Sequence, residues 1–168
     1  MKLSQVLKEE TVNLNITQGK LPDKPVEEYT HADRWKMKEN VIRQIVELID
    51  RSGLVGNKKK LLLDFINREK RCTTAIGSGI AIPHVRTMQV RGFVFAIGIS
   101  KEGVYFASID GAPTHIFFIL ASPPYDDSDY LQIYRRISEL VQNRNISLEL
   151  TTTESPGELI RVVKSFLE

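Results

Sequence analysis

Two apolar runs of strand length constrain the fold of this chain more than any other feature. They lie at residues 93–100 (F-V-F-A-I-G-I-S) and 114–121 (T-H-I-F-F-I-L-A), and β-branched and aromatic residues dominate both. A strand that is apolar on both faces is typical of a sheet that is covered on both sides. The D-G-A-P segment between the runs predicts a turn. The chain is therefore expected to build a central sheet between two further layers.

Helical periodicity predicts the elements that cover this sheet. Apolar residues recur at helical spacing across 32–51, before Gly53 provides a stop, and Asn57 is placed to cap a helix that ends near Arg68. Further helices are predicted over 1–8, over 130–143 and from Pro156 onward, while 12–16 alternate like a half-buried strand and the β-branched residues of 146–153 favour another. These elements predict an α/β fold, a single layered domain with a mixed central β-sheet covered by helices on both faces.

Residues 17–30 have loop composition, with two prolines and a glycine among charged residues. We expect one domain over 1–168 that contains this longer loop, because 168 residues suit a single hydrophobic core. His31 follows the loop and is interpreted as a surface residue near a helix start.

Composition limits the partners and the compartment. Twenty-three Lys and Arg residues against twenty-one Asp and Glu give a formal net charge of +2, which is too balanced for nucleic-acid binding through bulk charge. No stretch has the ~20 consecutive apolar residues of a membrane helix, no leader is recognisable, and Cys72 is the single cysteine. We therefore expect a cytoplasmic protein without direct membrane insertion. The three histidines lack ligand spacing, so neither a metal nor another cofactor is predicted.

The sharpest chemical signal is the stretch 73–87, T-T-A-I-G-S-G-I-A-I-P-H-V-R-T. Pro83 fixes its own φ and restricts the residue before it, so His84 should leave a buried segment at a reproducible position. Arg86 adds a guanidinium, and Gly77 and Gly79 predict a turn flanked by hydroxyl side chains. An imidazole nucleophile with cations and neutral donors suits phosphoryl transfer. On these residues alone, a turn histidine whose ring is satisfied structurally is the commoner alternative for His84.

The segments I-G-S-G-I-A-I-P-H, R-E-K-R and G-A-P-T-H-I-F-F-I-L-A-S-P resemble the fructose/mannitol (type 2) enzyme IIA family of the bacterial phosphotransferase system, which includes nitrogen-regulatory members. The resemblance extends over nearly the whole chain. It implies that His84 accepts a phosphoryl group from an HPr-type phosphocarrier and passes it to a IIB component of a sugar transporter. It also implies that Arg68 is the active-site arginine, that groups around the glycine turn assist, and that 146–153 form a short helix.

The chain departs from the family pattern at two positions. Val85 stands where most members have glycine, which predicts a crowded approach to His84, and Tyr130 aligns with a second histidine that many members carry. A phenol donates a hydrogen bond but does not become a cation. An alternative function is therefore a nitrogen-regulatory IIA-like or phosphorylation-deficient module that binds a regulated target protein. Retention of Arg68 and His84 favours the phosphocarrier.

Two further features remain open at this level. His115 begins the second apolar run, and a structural or supporting role is preferred over a catalytic one. The run of lysines at 58–60 is interpreted as a solvated helix face, with docking to an acidic partner as the alternative.

Overall fold

The computed structural model describes residues 2–125 and 127–167. Its strands are β1 (Val12–Asn13), β2 (Ala75–Gly77), β3 (Ile80–Ala81), β4 (His84–Arg86), β5 (Val94–Val104) and β6 (Thr114–Ser122). Its α-helices, in the described part of the chain, are α1 (Leu3–Val6), α2 (His31–Asp50), α3 (Lys58–Arg71), α4 (Asp127–Leu140), α5 (Ile146–Thr151) and α6 (Pro156–Leu167). Short 3₁₀ turns lie at Glu9–Thr11 and Val26–Glu28.

All the strands belong to one mixed sheet, in the order β1-β5-β6-β3-β2, with β4 also paired to β6. The long strands β5 and β6 are antiparallel, whereas β3 and β4 both run parallel to β6. These two short strands lie end to end along one edge of β6, since Ile80 pairs with Ile116 and His84 pairs with Leu120. Pro83, which has no amide proton, stands at the break between them. This arrangement fixes the end of the sheet at which His84 emerges.

The sheet is covered on both faces, as the two apolar runs predict. Along β6, alternate residues belong to different cores, Ile116, Phe118 and Leu120 to one and Phe117, Ile119 and Ala121 to the other. Helices α4, α5 and α6 contribute to the first core, and α2 and α3 contribute to the second. The predicted α/β architecture, a mixed central sheet between helical layers, is confirmed.

Capping residues start three of the helices close to their predicted positions. The side chain of Thr30 accepts from the Asp33 amide in a capping box at the start of α2, and Asn57 caps α3 through the Lys60 amide. The Ser155 hydroxyl accepts from the Glu158 amide at the start of α6. His31 is exposed at the first position of α2, as expected, and 17–30 contain no α-helix or strand.

Other boundaries differ from the prediction. The helix α4 begins at Asp127, three positions before Tyr130, and β1 is a two-residue strand rather than one spanning 12–16. The strand favoured by the β-branched residues of 146–153 is wrong, because Ile146 and Leu150 lie one helical turn apart and are both buried in the core. The short helix implied by the family resemblance is present there. Within the described residues, no helix is long and apolar enough to cross a membrane.

Candidate active site

A cavity of about 520 Å³ lies where α3, β4 and α4 meet, and it brings together all three candidate site residues. Arg68 comes from the last turn of α3, His84 from the first position of β4, and Tyr130 from the first turns of α4. The cavity lining consists of Asp64, Asn67, Arg68, Arg71, His84, Val85, Arg86 and Tyr130. The predicted proximity of Tyr130 to His84, 46 positions apart in sequence, is confirmed, with ring centroids 6.4 Å apart.

The His84 ring is oriented by the backbone of its own segment. Its Nδ1 atom lies 2.7 Å from the carbonyl oxygen of Ile82. A carbonyl oxygen only accepts hydrogen bonds, so Nδ1 carries the proton and the lone pair of the neutral ring is on Nε2. The segment is itself held to the sheet, because the Leu120 amide donates to the Pro83 carbonyl at 3.0 Å. These two hydrogen bonds hold the His84 side chain and its backbone in a fixed position, as expected after Pro83.

Burial lowers the pKa of the His84 imidazole below its ordinary value of 6.5. The hydrogen bond from Nδ1 to Ile82 opposes this shift, the positive charge of Arg68 lowers the pKa further, and the nearby carboxylate of Glu69 raises it. Because desolvation is the largest of these effects, the neutral ring with a nucleophilic Nε2 predominates at neutral pH.

Two tyrosines from α4 flank the imidazole. Tyr134 contacts it edge-on, with ring centroids 5.3 Å apart, and Tyr130 stacks on Tyr134 at 6.2 Å. Tyr134 is closer to His84 than Tyr130 is, and sequence reasoning missed it. The available signal was its position four residues after Tyr130, which places both side chains on one helical face. Burial and the neighbouring Tyr134 raise the pKa of Tyr130 to about 12, so its hydroxyl keeps its proton at neutral pH.

The cavity is rich in guanidinium groups. Arg68 donates from Nη1 to the carbonyl of Cys72 at 2.9 Å, and Arg86 donates from Nη2 to the carbonyl of Pro124 at 2.8 Å. The Arg86 guanidinium also lies over the Tyr130 ring, 4.9 Å from its centroid. Arg71 lines the cavity as well and was not singled out from the sequence. Three cations beside one imidazole favour an anionic group at this position.

The glycine turn lies far from this cavity, so the expectation that it assists the reaction is wrong. Gly77 and Gly79 do have positive φ values, 100° and 76°, as the turn requires. However, the carbonyl of Gly79 accepts from the Ile116 amide near the start of β6, whereas His84 pairs with Leu120. Four strand residues separate these positions by about 13 Å. The Ser78 amide in this turn binds Asp110 instead.

Other predicted features of the stretch have structural explanations. Val85 is 6% exposed and belongs to the core beneath α2 and α3, but it also lines the cavity, so crowding of a partner's approach to His84 stays a prediction. The Thr87 hydroxyl donates to Asp64, which lines the cavity, at 2.6 Å. His115 places Nδ1 2.9 Å from the Ser100 carbonyl and does not line the cavity, in agreement with a structural role.

The lysine run at 58–60 and the single cysteine, Cys72, lie outside the His84 cavity. Lys58 forms ion pairs with Glu47 and Asp50 of α2, consistent with a solvated face at 58–60. Cys72 is a free, exposed cysteine. Within residues 2–125 and 127–167, no group of three or more His, Cys, Asp and Glu side chains is arranged to hold a metal ion.

The model of one protein family, "Phosphoenolpyruvate-dependent sugar phosphotransferase system, EIIA 2", matches residues 27–166. The chain belongs to this family. The predicted resemblance to the type 2 enzyme IIA family is thereby confirmed. The EIIA 2 match includes Arg68, His84 and Tyr130 within its bounds.

Named relatives fall on both the transport and the regulatory side of the EIIA 2 family. The chain is 32% identical over 163 residues to the fructose-specific EIIABC component of Bacillus subtilis, a match that covers 97% of this chain and 23% of that protein. It is 27% identical over 126 residues to a nitrogen regulatory protein of Pseudomonas aeruginosa, covering 75% of this chain and 82% of that one. The chain thus spans under a quarter of the first of these relatives.

Solved structures share the fold. The nitrogen regulatory protein IIA-Ntr from Neisseria meningitidis aligns with a TM-score of 0.75 at 21% identity, covering 96% of this chain and 98% of that one. The enzyme IIA of mannitol from Escherichia coli, in a complex with phosphorylated enzyme IIB, gives a TM-score of 0.69 at 18% identity, with 95% and 97% covered. At these identities the likeness establishes the architecture.

Proposed function

We propose that this EIIA 2 family member carries a phosphoryl group on Nε2 of His84. The observation that supports this most directly is the hydrogen bond from Nδ1 to the Ile82 carbonyl, which leaves the lone pair of the neutral ring on Nε2. The lowered pKa of His84 favours the same nucleophilic form at neutral pH. The donor is an HPr-type phosphocarrier, and the acceptor is a IIB component like the one in the mannitol complex of E. coli.

The transfer step needs neither an oxidant nor an added proton. The Nε2 lone pair forms a bond to phosphorus while the nitrogen–phosphorus bond of the donor phosphohistidine breaks, and its electron pair returns to the donor ring. The phosphorylated His84 ring keeps the Nδ1 proton and becomes cationic, and the Ile82 carbonyl stabilises this charge. Transfer to IIB reverses the roles. We propose that this transfer takes place in the cytoplasm. We also propose that residues 1–168 form a single domain.

Arg68 acts on the phosphoryl oxygens. Its guanidinium lines the same cavity as His84, and its positive charge contributes to the lowered pKa of the imidazole, so the two groups interact in the free protein. Catalysis of phosphoryl transfer depends chiefly on positioning and on charge stabilisation. Tyr130, protonated at neutral pH because its pKa is about 12, supplies a neutral donor beside the imidazole.

Phosphorylation from phosphoenolpyruvate through enzyme I and the HPr-type carrier tests this function. We expect one acid-labile phosphoryl group per chain by intact-mass spectrometry, lost in His84→Ala. The matched control is His115→Ala, which removes a histidine outside the cavity. No phosphoryl group on the wild-type chain, or undiminished labelling of His84→Ala, would overturn the phosphocarrier function.

Arg68→Lys tests the second site residue. The charge is retained, but the planar pair of donors is lost, so we expect an unchanged fold and a transfer rate reduced roughly tenfold or more. Arg43→Lys, at an exposed position of α2, is the control and should leave the rate unchanged. Equal rates for both variants would reduce Arg68 to a residue at the end of α3.

A regulatory role is the second candidate, and the similarity to the nitrogen regulatory protein of P. aeruginosa favours it. Tyr130, at the position aligned with a second histidine, is compatible with slow transfer and a longer-lived phosphorylated state. In that case the chain accepts the phosphoryl group on His84 but does not deliver it to a IIB component at a comparable rate. Measuring transfer onward from the phosphorylated chain separates the two functions.

A further inference from the structure

A second cavity, of about 550 Å³, lies on the other side of the last turn of α3 and shares no lining residue with the cavity of His84. It is enclosed by the first turns of α2, the end of α3 and the segment that follows β5. Its exposed surface is mainly apolar, and the lining includes Arg34, Trp35, Lys38, Glu69, Lys70 and Tyr105. Its volume lies within the range of small-molecule sites, roughly 300–1,000 Å³.

The floor of this cavity is rigid because its polar groups satisfy one another. Lys38 pairs with Glu69 at 2.7 Å, and the two side chains are 3% and 1% exposed. Lys38 also donates to the Thr73 hydroxyl at 3.1 Å and lies 4.7 Å from the centroid of the Phe106 ring. A floor held by a buried, fully bonded pair does not collapse into the space above it. The cavity is therefore a preformed feature of the fold.

The walls and the rim define the chemistry of a ligand. Trp35 and Tyr105 provide aromatic surface, which favours a flat apolar body. Lys38 and Glu69 compensate each other's charge, so Arg34 and Lys70 leave the lining with an excess of positive charge. Lys70 lies over the Trp35 ring, with its Nζ 5.7 Å from the centroid, and so stands directly beside the aromatic wall. An anionic group at the rim matches this pattern.

We propose that this second cavity binds a small aromatic carboxylate, with its ring against Trp35 and its carboxylate between Arg34 and Lys70. The proposal is independent of phosphoryl transfer, because the His84 cavity contributes none of the lining. Ala107, which holds a left-handed φ of 52° without being glycine, also lies in the lining. Such backbone conformations concentrate at ligand sites.

The chain has a built-in reporter for this site, because Trp35 is its single tryptophan. We expect 4-biphenylacetate to change the Trp35 fluorescence in a saturable way. The neutral isostere 4-biphenylacetamide should require a concentration roughly tenfold higher, because it lacks the charge-assisted bonds. No saturable change with the carboxylate, or equal responses to the two probes, would overturn the proposal.

Exposed residues supply matched variants. The double variant Arg34→Gln/Lys70→Gln should weaken binding of 4-biphenylacetate to the level of the amide. The control, Lys59→Gln/Lys60→Gln, makes the same change in net charge at exposed positions outside the cavity. It should leave binding unchanged. An equal loss in both double variants would mean nonspecific electrostatic attraction and would refute the site. His84→Ala should retain binding, which separates this test from that of the phosphocarrier function.

Discussion

The buried ion pair between α2 and α3 offers the sharpest quantitative test of the packing that positions Arg68. Lys38 and Glu69 lie 2.7 Å apart and are almost inaccessible. Glu69 additionally accepts hydrogen bonds from the Thr74 amide at 3.1 Å and from the Thr74 hydroxyl. Replacing Lys38 with Met removes the cation and leaves this carboxylate buried without its charge partner. Loss of one member of a buried pair costs about 3–5 kcal/mol.

Such a loss is large relative to a total stability of roughly 5–15 kcal/mol. With a urea dependence of roughly 2 kcal/mol/M, a loss of about 4 kcal/mol moves the unfolding midpoint down by about 2 M. Urea unfolding followed by circular dichroism measures this shift. The double variant Lys38→Met/Glu69→Gln should recover at least half of the loss, because it leaves no uncompensated buried charge.

The matched control is Lys58→Met, which removes an exposed ion pair between the same two helices and should leave the midpoint unchanged. A Lys38→Met variant within about 1 kcal/mol of the wild type would refute the argument, because that value lies below the range for a broken buried pair. A double variant less stable than Lys38→Met alone would refute it equally. Either result would mean that the charge of Glu69 is solvated or screened by groups other than Lys38.

The remaining predictions concern the tyrosines and the pH dependence of the His84 site. Tyr130→Phe should slow phosphorylation several-fold by removing one donor hydroxyl, and Tyr130→His should accelerate it, with Tyr29→Phe as the control; equal rates would exclude a role for the hydroxyl. Tyr134→Leu should raise the pKa of His84 toward 6.5 by reducing its burial, measured by NMR titration of the ring. In the wild type this titration should have its midpoint below 6.5. Because the folded state then binds fewer protons than the unfolded state, the contribution of His84 to stability is complete above pH 6.5 and is lost as pH falls through the lowered pKa. The free energy of unfolding should therefore rise with pH below 6.5, and His84→Asn should reduce the slope of that rise. An unaltered slope in His84→Asn would contradict the lowered pKa of His84.

Much of the architecture could be predicted because its signals are local. The two apolar runs correspond to β5 and β6, and the caps at Thr30, Asn57 and Ser155 mark helix starts that satisfy their own backbone amides. Pro83 predicted the fixed position of His84, since a proline restricts the backbone on either side of it regardless of the rest of the chain. Family resemblance added Arg68 and Tyr130, which local patterns alone did not single out.

Tertiary structure decided which residues meet. The alignment of β3 and β4 end to end along β6 carries the glycine turn to the far end of the sheet and leaves Arg68, Tyr130 and Tyr134 around His84. Glu69, next to Arg68 in a charged run, turns out to be buried against Lys38. Strand register and helix packing depend on contacts between residues distant in sequence, and periodicity reports only which face of an element is apolar. The sequence by itself therefore determined most of the elements and the candidate histidine, His84, whereas the side chains around His84 were decided by the packing of α3 and α4 on the sheet.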